Sequence, residues 1–286
     1  MNKAPTRITS KKKFENTPTL FDTFKCNNAT VTELRTGIFA PITQVTEAST
    51  IYKEFVAAGR VRTIQTEYGE VKITGNILTQ THKDVIDAIF ATASFSETTK
   101  AGNIALFFSS YEVQSFLGLK STTNHKWFKK VLGQIKTTNI EFKDKDGNLW
   151  DFNFTDSGGY SAKKDAYAIV FTEGYQNFFL DQVTVNYKDE LKKLMLVDDS
   201  LVKAIIRYFF THAYNMQIGF DKLLDAVGYP KSEVSIKKAR KKCRDSVEDF
   251  KNFNIEFNPK TYMFSYSKLQ TITHTIPKDK KSLLSK

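Results

Sequence analysis

Cysteine is scarce in this sequence, which contains only Cys26 and Cys243 among 286 residues. The two are far apart and form neither a metal-ligand spacing nor a disulfide framework, so we expect a reducing, cytoplasmic environment. Long apolar runs are also missing, since stretches such as NIALFF and YAIVF have the length of a strand and not of a bilayer span. No apolar signal-peptide stretch precedes them. A membrane protein is therefore not expected.

Residue patterns for catalysis are equally scarce. The four histidines, at positions 82, 125, 212 and 274, are isolated, so the metal-binding pair of a rolling-circle nickase is lacking. No G-x-x-x-x-G-K-[ST] loop occurs. The glycine-containing stretch SGGYS at 157–161 lacks the lysine and the following helix of a phosphate loop, and is interpreted as a flexible wing connection. We expect no enzyme activity, no cofactor and no metal.

Positive charge, by contrast, is abundant. The chain has 42 Lys and Arg against 31 Asp and Glu, a net charge of +11. An excess of this size indicates an anionic partner, either nucleic acid or a membrane surface. The 41% of hydrophobic residues is typical of a globular protein with a substantial core.

The periodicity predicts a hairpin over 61–74, followed by a first helical module. TQTHKDVIDAIFATA has apolar residues at helical spacing, NIALFF is a short strand, and SSYEVQSFLG and STTNHKWFKKVLGQIKTT are two further helices. Three strand-like pieces follow, NIEFK, LWDFNF and YAIVFT, with the polar TDSGGYSAKKDA as a connection. This order of elements is that of a winged helix.

The same order recurs in the last third of the chain. A helix over DSLVKAIIRYFFTHAYNM is followed by the strand QIGF, the helix FDKLLDAVGY, the long helix SEVSIKKARKKCRDSVEDF and a hairpin turning at NPKT. NIEF follows the third helix in both halves, at 139–142 and 254–257, which favours duplication over coincidence. The sequence predicts an α+β fold of two tandem winged-helix domains. The expected divisions are a basic arm and leader (1–59), a first domain (60–192), a second domain (193–270) and a basic tail (271–286).

The third helix of the second module has six positive charges within the eight positions 237–244. At 100° per residue, Ile236, Ala239, Cys243, Val247 and Phe250 form one apolar arc that packs on the core. The bland interpretation is a solvated helix face. Solvated faces usually mix signs at i and i+4, whereas here the repulsion is expected to be uncompensated for two turns. We therefore predict that the helix enters the major groove of double-stranded DNA, which admits one helix between two phosphate rows.

The predicted DNA contacts divide into three groups. Base readers are expected near the helix start, at Lys231, Ser232, Ser235 and Lys238. Further contacts are expected from Lys237, Arg240, Lys241, Lys242 and Arg244. In the first module, Lys126, Lys129 and Lys130 are either surface lysines of a core helix or phosphate contacts of a helper module that also touches another protomer.

Two protein contacts are also hypothesised. Leu20 and Phe21 lie in TPTLFDTF, and they either pack on the first module or bind a partner groove, as in the similar bacterial sliding-clamp ligands that end in a Leu-Phe pair. Trp127, Phe128, Phe107 and Phe108 are more aromatic residues than one small core is expected to hold. We therefore expect the free protein to form a homodimer through roughly residues 60–115, although direct repeats would require another arrangement on DNA.

The sequence resembles a known family in several stretches spread over about residues 33–268. These are ELRTGIFAPI, GNILTQTHKDVIDAIFATA, YEVQSFLGL and FFTHAYNMQIGFDKLLDAVGY. In this order they resemble the iteron-binding initiators of plasmid replication, especially the TrfA-like branch. The resemblance implies binding to direct repeats at an origin, opening of an AT-rich segment, and recruitment of host helicase and clamp machinery. It also implies that the second module reads the repeat and the first contacts the DNA backbone. The alternative is a winged-helix transcriptional repressor without an initiation role.

Overall fold

The leader forms short elements that end in a hairpin. The computed structural model describes residues 28–119, 124–161 and 166–277. Its first elements are β1 (Ala29–Thr30), α1 (Val31–Arg35), α2 (Thr50–Ala57), β2 (Val61–Thr66) and β3 (Gly69–Thr74). The predicted hairpin is confirmed, with Val61 opposite Thr74. Gly69 is required at its turn, because φ is +145° and a Cβ there would lie 2.2 Å from the Lys143 carbonyl oxygen.

The first module contains the predicted three helices and more strands than predicted. Its elements are α3 (Gln80–Thr92), β4 (Phe95–Thr98), β5 (Ile104–Phe108), α4 (Ser110–Phe116), α5 (His125–Lys136), β6 (Asn139–Asp144), β7 (Leu149–Asn153), β8 (Thr155–Ser161) and β9 (Ala166–Phe171). Helix α3 begins after Thr79, whose backbone N–H donates to His82 Nδ1 at 3.0 Å. Helix α5 is capped by Asn124 Oδ1, which accepts from the Trp127 N–H at 3.2 Å.

The second module follows a short connection. The connecting elements are α6 (Glu173–Asp181), β10 (Thr184–Asn186) and α7 (Lys188–Met195). The module itself contains α8 (Ser200–Phe210), β11 (Met216–Gly219), α9 (Phe220–Ala226), α10 (Glu233–Asp245), α11 (Val247–Lys251), β12 (Ile255–Asn258), β13 (Met263–Tyr266) and β14 (Thr273–Thr275). The helix expected over 233–250 is interrupted at Ser246, where ψ is 26° and the helical geometry is lost.

The sheet order shows which strands correspond in the two modules. In the second module β13 lies between β11 and β12, and in the first β9 lies between β5 and β8, with β4 on the outer side of β5. The β8–β9 hairpin is therefore the counterpart of β12–β13. The predicted correspondence of the two NIEF stretches is wrong, because β6 joins β2, β3 and β7 in a separate four-stranded sheet. Identical tetrapeptides thus pair with different partners, since sheet pairing depends on tertiary contacts.

The stretch TDSGGYSAKKDA was predicted to be a polar connection, and its first part is instead strand β8. Gly158 pairs with Ile169 and Tyr160 with Tyr167. The strand forms because its backbone completes the ladder of β9, whereas its side chains stay largely exposed. A Cβ on Gly158 would lie 3.1 Å from the Ala168 carbonyl oxygen, which explains a glycine at this close approach.

Each module has its own hydrophobic core. The first contains Phe108 and Phe128 in edge-to-face contact, with ring centroids 6.2 Å apart. The second contains Leu201, Ile205 and Phe209, all fully buried, as their i+4 spacing on α8 predicts. Strands β1, β10 and β14 form a fourth sheet, which joins the leader, the connection and the C-terminal part. Among the described residues, no helix is long and apolar enough to cross a membrane.

Candidate nucleic-acid interface

The start of α10 is fixed by its neighbouring residues. Ser232 Oγ accepts from the Ser235 N–H at 3.2 Å and lies 2.7 Å from Ser235 Oγ, so the serine pair caps the helix. Gly228, at φ +66°, ends α9 and allows the turn into α10. Lys231 Nζ lies 2.7 Å from Asp225 Oδ1 across this turn. Three of the four predicted base readers are thus engaged within the protein.

Helix α10 packs on α8 through its predicted apolar arc. Ala239 and Cys243 are fully buried, and burial raises the pKa of the Cys243 thiol to about 12. Lys242 Nζ lies 2.6 Å from Asp199 Oδ2. The other oxygen of Asp199 caps α8 by accepting from the Leu201 N–H at 2.8 Å. Lys242 therefore positions the helix on α8, whereas the opposite face remains open to a partner.

Two of the positive charges on the open face are compensated, contrary to the sequence-based expectation. Lys237 Nζ lies 2.9 Å from Glu233 Oε1, and Lys241 pairs with Asp245. Both acids lie just outside the run of basic residues, one turn before Lys237 and one turn after Lys241, where α-helical geometry brings them into contact. Such exposed pairs contribute little to stability, so an anionic partner can displace the carboxylates.

Three basic residues of α10 lack an acidic partner within the described part of the chain. Lys238 is exposed and forms no salt bridge there. Arg240 is half-buried, with its guanidinium carbon 4.7 Å from the Tyr262 ring centroid and 5.7 Å from that of Phe220. Arg244 Nη1 lies 3.3 Å from Tyr262 Oη. The two arginines therefore orient the turn between β12 and β13 beside the open face of α10.

The tip of this turn adds a lysine that the sequence reasoning missed. Asn258 Oδ1 accepts from the N–H groups of Lys260 and Thr261, at 2.9 and 3.2 Å, which closes a tight turn. Lys260 is exposed at the tip. The only sequence signal for this residue is a lysine inside the predicted turn NPKT. Its position extends the basic surface from α10 onto the hairpin.

In the first module, α5 is a core helix whose outer side carries the three predicted contact lysines. Phe128, Val131 and Ile135 are buried in the core. The three predicted contact lysines all lie on the exposed side of the helix, at positions 126, 129 and 130. Lys129 Nζ is 5.8 Å from the Tyr160 ring centroid on β8. The lysines thus flank the first hairpin, as α10 flanks the second.

A buried ionic network joins the first helices of the two modules. Arg207 on α8 donates to Asp84 Oδ1 at 2.6 Å and to Asp87 Oδ2 at 2.8 Å, both on α3. Lys203 pairs with Asp84 at 2.8 Å, and Lys83 lies 2.8 Å from Asp87 Oδ1. Burial lowers the pKa of the Arg207 guanidinium, but the two carboxylates outweigh this effect and raise it above its usual value. The network fixes the two modules relative to each other.

The two residues predicted at a clamp site, Leu20 and Phe21, lie outside the described residues.

The sequence has more aromatic residues near α5 than one small core was expected to hold. Of these, Phe108 and Phe128 are buried in the core of the first module. Phe107 instead stacks on Phe95, with ring centroids 4.3 Å apart, and Phe95 is 44% exposed. An aromatic pair therefore lies on the β4 edge of the sheet.

Among the described residues, no group of three or more His, Cys, Asp or Glu has the arrangement of a metal site.

The role of Lys242 in positioning the helix and the predicted role of Lys238 in contacting DNA can be tested separately. We expect Lys242→Met to lower the free energy of unfolding by about 1 kcal/mol, because Asp199 loses its partner. The same variant should leave the salt dependence of DNA binding unchanged. Lys238→Met should instead make the slope of the logarithm of the DNA-binding constant against the logarithm of the salt concentration less negative by about 0.9, without changing stability. Urea unfolding and binding titrations over a salt series measure both, and equal slopes for the two variants would refute the distinction.

The chain was compared with known proteins. Residues 70–197 match the family model described as "Initiator Replication protein, WH1". No curated protein sequence matches the chain. Among solved structures, it is similar to domains 2 and 3 of RctB as a selenomethionine derivative, at 10% identity over 75% of this chain and 88% of that one, with a TM-score of 0.45. A second structure of RctB domains 2–3, spanning residues 155–483, has 10% identity over 79% and 94%, with a TM-score of 0.39.

The family match and the sheet topology agree on the architecture. The matched range contains the helices α3, α4 and α5 together with the β8–β9 hairpin, which are the parts of a winged helix. The second module repeats these parts from α8 to β13. The predicted α+β fold of two tandem winged-helix domains is thereby confirmed. Residues 70–197 match the WH1 domain of the replication initiators, and a second winged helix follows this range.

Proposed function

We propose that this initiator binds direct repeats in double-stranded DNA at a plasmid origin and recruits the host helicase and sliding clamp. The observation that carries the proposal is the open face of α10. It carries Lys237, Lys238 and Lys241 opposite the buried Ala239 and Cys243, beside a hairpin with Lys260 at its tip. The major groove admits one helix between two phosphate rows, so the proposal puts α10 in the groove and the flanking hairpin beside a phosphate row.

The two modules have different roles in this proposal. The second reads the repeat through α10, and the first contacts the DNA backbone through Lys126, Lys129 and Lys130. The proposed division remains 60–192 and 193–270, with 1–59 as leader and 271–286 as tail. The boundary between the two modules falls within α7, whose Leu191 and Leu194 are both buried in the second core. Because the buried ionic network joins α3 to α8, we expect both contact surfaces to meet one DNA segment at a fixed separation.

The proposal is tested with the DNA of the replicon itself. The full chain should bind several direct repeats of roughly twenty base pairs beside an AT-rich tract, each wide enough for about two turns of groove. Neutralisation of five to eight phosphates would give a log–log salt slope of roughly −4.5 to −7. A small plasmid carrying the repeats should replicate only when the protein is supplied. Repeat binding without any need for the protein in replication would identify a repressor instead, and a slope near zero would refute the DNA contact.

Self-association through the first module is a separate prediction. The stacked Phe95 and Phe107 lie on β4 and β5, within the range 60–115 expected to form a homodimer. The free protein should sediment as a dimer at about ten micromolar. Phe95→Ser should shift it to a monomer, because the substitution removes the exposed ring that would pack against the second protomer. Leu196→Ser is the control, because Leu196 is 77% exposed in the other module. A free protein that stays monomeric would remove the dimer and leave the DNA contact intact.

Clamp binding is predicted from the leader. A peptide of residues 14–26 should bind the host sliding clamp weakly, because Leu20 and Phe21 would supply the apolar anchors of an extended ligand. Exchange of both residues for alanine in the full chain should abolish capture by the clamp. Phe24→Ala is the matched control within the same stretch. If the double variant is still captured as well as the unchanged protein, the leader is not the clamp ligand.

A further inference from the structure

A single apolar side chain lies at the N-terminal end of the open face of α10. Val234 is 62% exposed, in the first turn of a helix whose open side is otherwise polar. It precedes the buried Cys243 by nine residues, which at 100° per residue is a rotation of about 180°. Val234 therefore points directly away from the protein core. In a groove that the open face of the helix enters, Val234 would therefore face the groove.

Positive charge continues from Val234 along the same stripe of the helix. Lys238 follows after four residues and Lys241 after seven, so both lie within about 40° of Val234 around the helix axis. An apolar patch of one residue within this charge is too small to anchor a protein partner. The major groove offers a better match, because it presents the thymine C5-methyl group between two rows of phosphates.

Within the part of the chain that the structure describes, Val234 and Lys238 are the exposed side chains of the helix start that form no polar bond to the protein. Ser232 and Ser235 bond to each other as the helix cap. Lys231 is held by Asp225 at 2.7 Å. A base contact by these three residues would compete with their internal bonds, whereas a contact by Val234 involves no such competition.

We propose that Val234 is a specificity-determining residue that contacts the C5-methyl group of a thymine in the repeat. The inference rests on the proposed binding of double-stranded DNA by α10, and it assigns one base preference to one side chain. The contact removes two apolar groups from water, and it discriminates thymine from cytosine at that position because cytosine lacks the methyl group.

The test removes the methyl group from the DNA and the side chain from the protein. A preferred duplex is first selected from random sequence with the full-length protein, and each thymine is then replaced by deoxyuridine, which lacks only the C5-methyl. At one position the unchanged protein should lose about threefold to fivefold in affinity, as burial of a methyl-sized group predicts. Val234→Ala should bind the thymine duplex more weakly by a similar factor and be insensitive to deoxyuridine at that position. Val234→Ile should retain the sensitivity.

Folding is not at risk in the key variant, because Val234 is exposed and alanine is the better helix former. Val56→Ala on α2 is the matched control, since Val56 is also exposed, at 44%, and lies in a helix. This control should keep the full deoxyuridine profile. A Val234→Ala protein that still distinguishes thymine from deoxyuridine at every sensitive position would overturn the inference while leaving the DNA-binding function in place. If the selection yields no preferred duplex, the proposed function and the inference both fail.

Discussion

Exchange of Lys237 and Lys241 for glutamate is expected to abolish specific DNA binding, with a loss of affinity on the order of a hundredfold or more at moderate salt. Each exchange changes the charge by −2, so the net charge falls from +11 to +7. The local change is larger, because Glu233 and Asp245 lose their partners and four carboxylates then follow one another along the open face. Repulsion from two phosphate rows replaces attraction.

The control for this variant must carry the same net charge at another surface. Lys72 is half-buried and Lys193 is exposed, and neither lies on α10. Each pairs with an acid, Lys72 with Glu141 at 2.9 Å and Lys193 with Glu190 at 2.9 Å. Their joint exchange for glutamate should weaken binding only slightly, through the long-range field. Fluorescence anisotropy with a labelled repeat, beside thermal unfolding of each protein, makes the comparison. Equal losses in both double variants would show that bulk charge, and not α10, determines binding.

Removal of the Asp87 carboxylate is expected to cause the largest loss of stability. Asp87 Oδ2 accepts from Arg207 and from Tyr187 Oη, each at 2.8 Å, and its other oxygen faces Lys83. Asp87→Ala would leave the buried Lys83 and Arg207 with too few acceptors, which typically costs about 3–5 kcal/mol of unfolding free energy. Urea unfolding measures the change. The same variant should weaken repeat binding, because the two modules would lose their fixed relation.

Asp245→Ala is the matched control for the stability experiment. Asp245 also pairs with a lysine, but on the exposed face of α10, so its loss should change the free energy of unfolding by less than about 0.5 kcal/mol. If Asp87→Ala lowers stability as little as this control, the network between α3 and α8 does not hold the modules together. A large stability loss with unchanged binding would show that the modules do not need a fixed relation on DNA.

Local signals in the sequence predicted most helices and their order. The apolar spacing on α8 and the basic run on α10 are visible without any tertiary information. Strand β8 was missed because Gly158 and Gly159 have low strand propensity, and its pairing with β9 is decided by tertiary contacts. The equivalence of the two NIEF stretches failed for the same reason.

The electrostatics of the site were harder to predict than its location. Six basic residues within positions 237–244 marked α10 in the sequence. Glu233, the partner of Lys237, lies one turn before these positions, so the basic run alone does not show the ion pair. The ionic network joins residues of α3 and α8 that are more than 100 positions apart in the sequence. No local sequence pattern shows which residues so far apart will form ion pairs. One signal was available, since Gln80, Lys83, Asp84 and Asp87 form a polar stripe at helical spacing on α3.

The central claim is that the open face of α10 enters the major groove of each origin repeat. It is tested most directly by an iron chelate attached at position 238, in a Lys238→Cys protein that also carries Cys26→Ser. The buried Cys243, with its raised pKa, should not react with the chelate reagent. Radicals from the tethered iron are predicted to cut the DNA once within every direct repeat, at the same offset in each. A chelate at Lys72→Cys, on the same Cys26→Ser background, should give no cut inside the repeats. Absence of cleavage by the position-238 chelate on DNA that the protein occupies, or equal cleavage from position 72, would contradict the account.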